Sequence, residues 1–126
     1  MSYKYLIDSY AWVEYFNGTK KGEVAKKYIE GGESATCVIT LAELAEKYAR
    51  ENKRFEEDKE FIITKTKIIQ INEGIAVSAG NINAENKKKI KNWGMADALI
   101  LASSLIIEAR VVTGDEHFRS LGAIMI

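Results

Sequence analysis

Met95-Ala-Asp-Ala-Leu-Ile-Leu-Ala-Ser-Ser-Leu-Ile-Ile-Glu-Ala-Arg-Val-Val-Thr-Gly-Asp115 reads as a helix running into a strand. Met95–Ala109 is apolar on nearly every face, so a helix there is expected to be buried. Arg110–Thr113 is short, rich in β-branched residues, and closes on Gly114-Asp115, residue types that suit a turn. The N-terminal end carries a matching signal: Tyr3–Ile7 is strand-like and runs directly into Asp8.

Between these ends the pattern repeats. Further strands are expected at Ser34–Ile39, Ile68–Ile71 and Ala123–Ile126, and helices at Tyr10–Asn17, Gly22–Glu30, Leu41–Asn52, Phe55–Thr66 and Glu73–Asn92. Strands separated by helices imply crossover connections and a parallel sheet. Most of the strands are continuous apolar runs, as in strands covered on both faces. The expected fold is α/β, a three-layer α/β/α arrangement with a central parallel sheet of four to five strands. At 126 residues the chain fits one domain, residues 1–126.

Composition narrows the function. Eighteen basic residues balance eighteen acidic ones, so no net field advertises a polyanion partner. Any such affinity must come from local patches or bound cations. One Cys and one His cannot supply the usual zinc ligand set, and Cys37 lies in the apolar run Ala35–Ile39 as a small buried hydrophobe. No signal peptide precedes the first strand, and Met95–Ile107 is shorter than the ~20 residues that span a bilayer. A soluble, cytoplasmic protein is expected.

The acids are distributed unevenly: fourteen Glu but four Asp. Asp58 lies in the charged run Glu56-Glu57-Asp58-Lys59-Glu60 and reads as solvated surface. The other three sit at element ends. Asp8 and Asp115 follow strands, at the edge of a parallel sheet where ligands bind. Asp97 opens the apolar helix, and Glu43 stands in the first turn after the second strand. Each has an ordinary alternative: a helix cap for Asp8, a capping box Thr40-Leu41-Ala42-Glu43, a dipole partner for Asp97, a turn residue for Asp115. Four converging carboxylates would repel one another unless a divalent cation held them together. All-oxygen donors suit Mg²⁺ or Mn²⁺, ions that activate water against a phosphodiester.

Three blocks then resemble a known family: Tyr5-Leu6-Ile7-Asp8-Ser9; Leu41-Ala42-Glu43-Leu44-Ala45-Glu46-Lys47-Tyr48; and Asp97-Ala98-Leu99-Ile100-Leu101-Ala102 followed by Val111-Val112-Thr113-Gly114-Asp115-Glu116-His117-Phe118. Their order and spacing are similar to PIN-domain nucleases, including the VapC toxin halves of VapBC toxin–antitoxin pairs. The resemblance implies a Mg²⁺- or Mn²⁺-dependent endoribonuclease that cleaves single-stranded RNA. It makes Asp8, Glu43, Asp97 and Asp115 metal ligands or water-positioning groups, with Ser9 and Thr113 as hydroxyls bonding to them. It further implies a small antitoxin partner and a homodimer. A housekeeping PIN nuclease and a non-catalytic PIN binding module are the alternatives.

The remaining features carry less. Lys87, Lys88, Lys89 and Lys91 suit either RNA phosphates or a solvated helix end. His117 is read as a surface-turn residue that a metal mechanism does not need. Tyr10, Trp12, Val13 and Phe16 place more aromatic area on one short helix than one core face accepts.

Overall fold

The computed structural model describes residues 2–126. In chain order the elements are β1 (Tyr5–Ile7), α1 (Ser9–Asn17), α2 (Lys20–Glu30), β2 (Ser34–Cys37), α3 (Val38–Arg50), α4 (Glu56–Lys65), β3 (Lys67–Ile69), α5 (Glu73–Asn86), α6 (Met95–Ile106), β4 (Arg110–Thr113), a 3-10 helix (Glu116–Leu121) and β5 (Ile124–Met125). The five strands form one parallel sheet in the order β3-β2-β1-β4-β5. It is the α/β architecture expected from the alternating pattern.

The sheet divides two apolar layers. Leu6, Ala35, Ile75, Trp93, Ala98, Ala102, Val111 and Phe118 belong to one. Ile7, Trp12, Ile29, Leu44, Ile62 and Val112 belong to the other. Successive residues of β1 and β4 thus feed opposite layers, which explains why these strands are apolar without alternation. The aromatic surplus of α1 is absorbed internally: Trp12 is fully buried, stacks on Phe16, and meets Phe61 of α4 edge-on. Its indole N–H donates to Thr36 Oγ1 at 3.2 Å.

Several element ends differ from expectation, each for a local reason. β2 stops at Cys37 and α3 begins at Val38, with no loop between them. Thr40 is therefore inside the helix and no capping box forms with Glu43. α2 begins two residues early because Thr19 caps it, accepting from the Gly22 N–H at 3.0 Å. α5 ends at Asn86, and Asn92 adopts a left-handed conformation (φ 63°), so the lysine run lies past the helix rather than on it. Asp58 is half-buried and accepts the Tyr48 hydroxyl at 2.5 Å, unlike the solvated acid its charged neighbours suggest.

Strand order fixes where a site can form. After β1 the chain builds outward through β2 and β3, then crosses to the far side of β1 to place β4. Chain connections therefore diverge between β1 and β4, leaving a crevice at their carboxyl ends.

Candidate active site

Asp8 follows β1 and Asp115 follows β4, so the two acids flank that crevice. Asp8 occupies the residue before α1 but makes no side-chain cap. Its carboxylate faces Thr113, whose hydroxyl donates to Asp8 Oδ2 at 2.8 Å, and the side chain is 5% exposed. Thr113 Oγ1 also accepts the Asp115 N–H at 2.9 Å, tying the turn after β4 to the acid after β1. Burial pushes the Asp8 carboxyl up to about 6, against the Thr113 hydroxyl and the Ser9 N–H, with Asp115 and Asp97 adding repulsion.

Glu43 reaches the same edge from α3. Burial first, then the charges of Asp8 and Asp97, raise its carboxyl to about 7, while the Ser9 side chain opposes the shift. Glu43 Oε1 is buried and has no hydrogen-bond partner among the described residues. An orphaned carboxylate oxygen in such a place needs an explanation, and a cation supplies one.

Asp97 is the third residue of α6. Its Oδ2 accepts the Gly94 N–H at 3.1 Å, which holds the helix start and fixes the side chain. The dipole-partner alternative is thus realised, yet the same oxygen lies 3.1 Å from His117 Nδ1. Burial raises the Asp97 carboxyl, while the Gly94 N–H and His117 hold it down. Asp115 caps the 3-10 helix through its Oδ1, which accepts the His117 N–H at 2.9 Å and lies 3.5 Å from His117 Nδ1.

All four expected acids therefore act on one another electrostatically, from four separate elements. Thr113 bonds directly to Asp8, and the Ser9 side chain opposes the rise of the Glu43 carboxyl. His117 is more than the surface-turn residue the sequence suggests: its Nδ1 lies 3.1 Å from Asp97 Oδ2 and 3.5 Å from Asp115 Oδ1. The available signal was the spacing Asp-x-His at a turn, where an Asp side chain accepts the N–H two residues on and folds the chain back.

Beyond the acids, a cleft of about 460 Å³ runs between α1 and α3. Asp8, Glu43 and Asp115 line it, with Tyr10 and Val13 on one wall and Lys47 and Arg50 on the other. Glu43, Glu46, Lys47 and Arg50 recur at helical spacing, so one face of α3 carries two acids and then two cations along the cleft, where Lys47 also pairs with Glu51 at 2.8 Å. Tyr10 packs so closely on Gly114 that any side chain there would overlap its ring.

The sequence profile of the PIN domain matches residues 5–124. No curated protein sequence matches the chain. Solved structures do. A toxin–antitoxin complex from Klebsiella pneumoniae superposes with a TM-score of 0.74 at 21% identity, covering 94% of this chain and 92% of that one. DNA-bound VapBC from Salmonella typhimurium gives 0.74 at 20% identity, covering 98% and 97%. DNA-bound VapBC2 from Rickettsia felis gives 0.74 at 18%, covering 97% and 96%. At these identities the superpositions speak to the fold.

Proposed function

Because the chain belongs to the PIN domain family, we propose that it is a divalent-metal-dependent endoribonuclease cutting single-stranded RNA, and the toxin of a toxin–antitoxin pair. One observation carries the metal reading: carboxylates from four separate elements meet at the β1/β4 crevice, Asp97 and Asp115 closest together beside His117, and a buried oxygen of Glu43 has no partner. Carboxylate oxygens suit Mg²⁺ or Mn²⁺. Asp8, Glu43, Asp97 and Asp115 would hold the ion, which activates water and neutralises charge on the phosphate.

The protein's own groups do the positioning. Thr113 fixes Asp8 through its hydroxyl, and the Gly94 N–H fixes Asp97. Ser9 supports Glu43. Arg50 lies along the cleft, placed to take a phosphate next to the one being cut, while Lys47 beside it pairs with Glu51 at 2.8 Å.

The antitoxin reading is supported by the neighbouring folds, which come from toxin–antitoxin complexes. A homodimer is supported by apolar residues left exposed on the paired helices α5 and α6: Val77, Met95, Leu105 and Ile106. No helix among the described residues is long and apolar enough to cross a membrane, consistent with the cytoplasmic setting proposed.

The test is cleavage of a labelled single-stranded RNA with Mg²⁺ or Mn²⁺, with EDTA, and with Asp8→Asn or Glu43→Gln. Cleavage that needs the ion and both acids supports the assignment. RNA binding without cleavage under either ion would favour a non-catalytic module, and metal-independent cleavage would remove the metal from the account.

A further inference from the structure

Asp97, Asp115 and His117 offer three donor atoms within 4.8 Å of one another, the one grouping of that kind among the described residues. One of the three is a nitrogen. His117 Nδ1 lies 3.1 Å from Asp97 Oδ2 and 3.5 Å from Asp115 Oδ1. Adjacent donors on one ion, bound at about 2.0–2.3 Å, stand roughly 3.0–3.5 Å apart. The imidazole nitrogen therefore already sits at the separation of a neighbouring ligand from both carboxylates.

The arrangement is held from several sides. Asp115 Oδ1 binds the His117 N–H and so fixes the first turn of the 3-10 helix that carries the ring. Phe118, the next residue, is buried against Trp93, and Trp93 also packs near the imidazole. The His117 side chain is 25% exposed, open enough for exchange with solvent yet not free to swing. The imidazole's hydrogen bond to Asp97 would suffice to reduce repulsion between Asp97 and Asp115 in the absence of an ion. The crowding of Asp8 and Glu43 on the other side, with an orphaned oxygen, is not answered by that hydrogen bond.

We propose that His117 is a nitrogen ligand of the divalent ion, completing a mixed nitrogen–oxygen site with Asp97 and Asp115 that selects Mn²⁺ over Mg²⁺. The inference rests on the metal reading of the acid cluster and adds a ligand and a preference to it. Imidazole binds first-row transition ions readily, whereas Mg²⁺ demands oxygen and dehydrates reluctantly. An all-carboxylate site would leave the choice between the two ions to size and geometry.

Pulsed electron paramagnetic resonance on the Mn²⁺-loaded protein reads the ligand directly. A directly bound nitrogen modulates the Mn²⁺ echo, and the modulation shifts frequency when histidine carries the heavy nitrogen isotope. With one histidine in the chain, the assignment is unambiguous. The modulation should be present in the wild type and absent in His117→Gln. Calorimetry should show Mn²⁺ affinity falling about tenfold or more in that variant while Mg²⁺ affinity changes far less. Mn²⁺ bound without nitrogen modulation would overturn the proposal and leave the carboxylate site standing. No Mn²⁺ bound at all would remove both. Isotope labelling of the wild type decides the question even where His117→Gln folds poorly.

Discussion

The hydroxyl of Thr113 donates to Asp8 Oδ2 at 2.8 Å across 105 positions of sequence, and both groups are buried where β1 and β4 lie side by side. The Thr113 hydroxyl oxygen in turn accepts the Asp115 N–H. Thr113→Val keeps the shape and removes both bonds. A buried carboxylate and a backbone N–H lose partners at once, and unfolding stability in urea should fall by about 1–3 kcal/mol. The Asp8 carboxyl should also titrate above about 6, because a donor that holds it down is gone. Carbon-detected NMR titration checks the second point, and an unchanged value would show that Thr113 contributes packing alone.

Stability of the metal-free protein should depend on pH in an unusual direction. Asp8 rises from 3.8 to about 6 and Glu43 from 4.5 to about 7 on folding. The folded state therefore binds these protons more tightly than the unfolded chain does. Their contribution is fully present below the unfolded values, near pH 4, and is lost as pH rises through about 6 and 7. In EDTA the melting temperature should drop between pH 5 and pH 8, by roughly 3–6 °C for each kcal/mol involved. Adding Mn²⁺ at the higher pH should restore it. A flat profile in EDTA would mean that burial does not disfavour the ionised forms of Asp8 and Glu43.

Asp97→Asn separates charge from architecture. Asparagine keeps a side-chain oxygen for the Gly94 N–H at the start of α6. It removes one charge from a crowded site, so the metal-free melting temperature should hold or rise. Cleavage should fall by on the order of 100-fold or more, since a ligand to the ion is lost. Calorimetric metal titration and a cleavage assay on the same preparation check both halves.

Gly114 has a packing role that the turn chemistry alone does not convey. A Cβ at this position would overlap the Tyr10 ring. Tyr10 is itself held at its hydroxyl by Lys21 Nζ at 2.9 Å. Gly114→Ala should cost about 1–3 kcal/mol as ring and turn shift apart. Adding Tyr10→Ala should recover part of that loss. Additive losses in the double variant would show that the overlap relaxes elsewhere.

Chain direction makes the placement of several acids legible in the sequence. A strand that ends in an acid places that acid at the carboxyl edge of a parallel sheet, which is why Asp8 and Asp115 stood out. Asp97 stood out as an acid within an apolar helix. Glu43 falls in the helix the sequence predicts, but the capping box its sequence suggests does not form, because β2 passes into α3 without a loop. The position of His117 depends on the Asp115 side chain turning the backbone, a tertiary detail that composition does not carry. Asp58 depends likewise on the turn that brings α4 back to Tyr48. Strand order, which makes the crevice, follows from none of the strands singly, because no strand's own residues say which strand lies beside it.

Crystals soaked in Mn²⁺ and measured at its absorption edge test the central claim most directly. The account predicts an anomalous peak in the β1/β4 crevice with at least two of Asp8, Glu43, Asp97 and Asp115 within about 2.0–2.3 Å. No peak there at saturating Mn²⁺, with the four carboxylates in the places described, would contradict it.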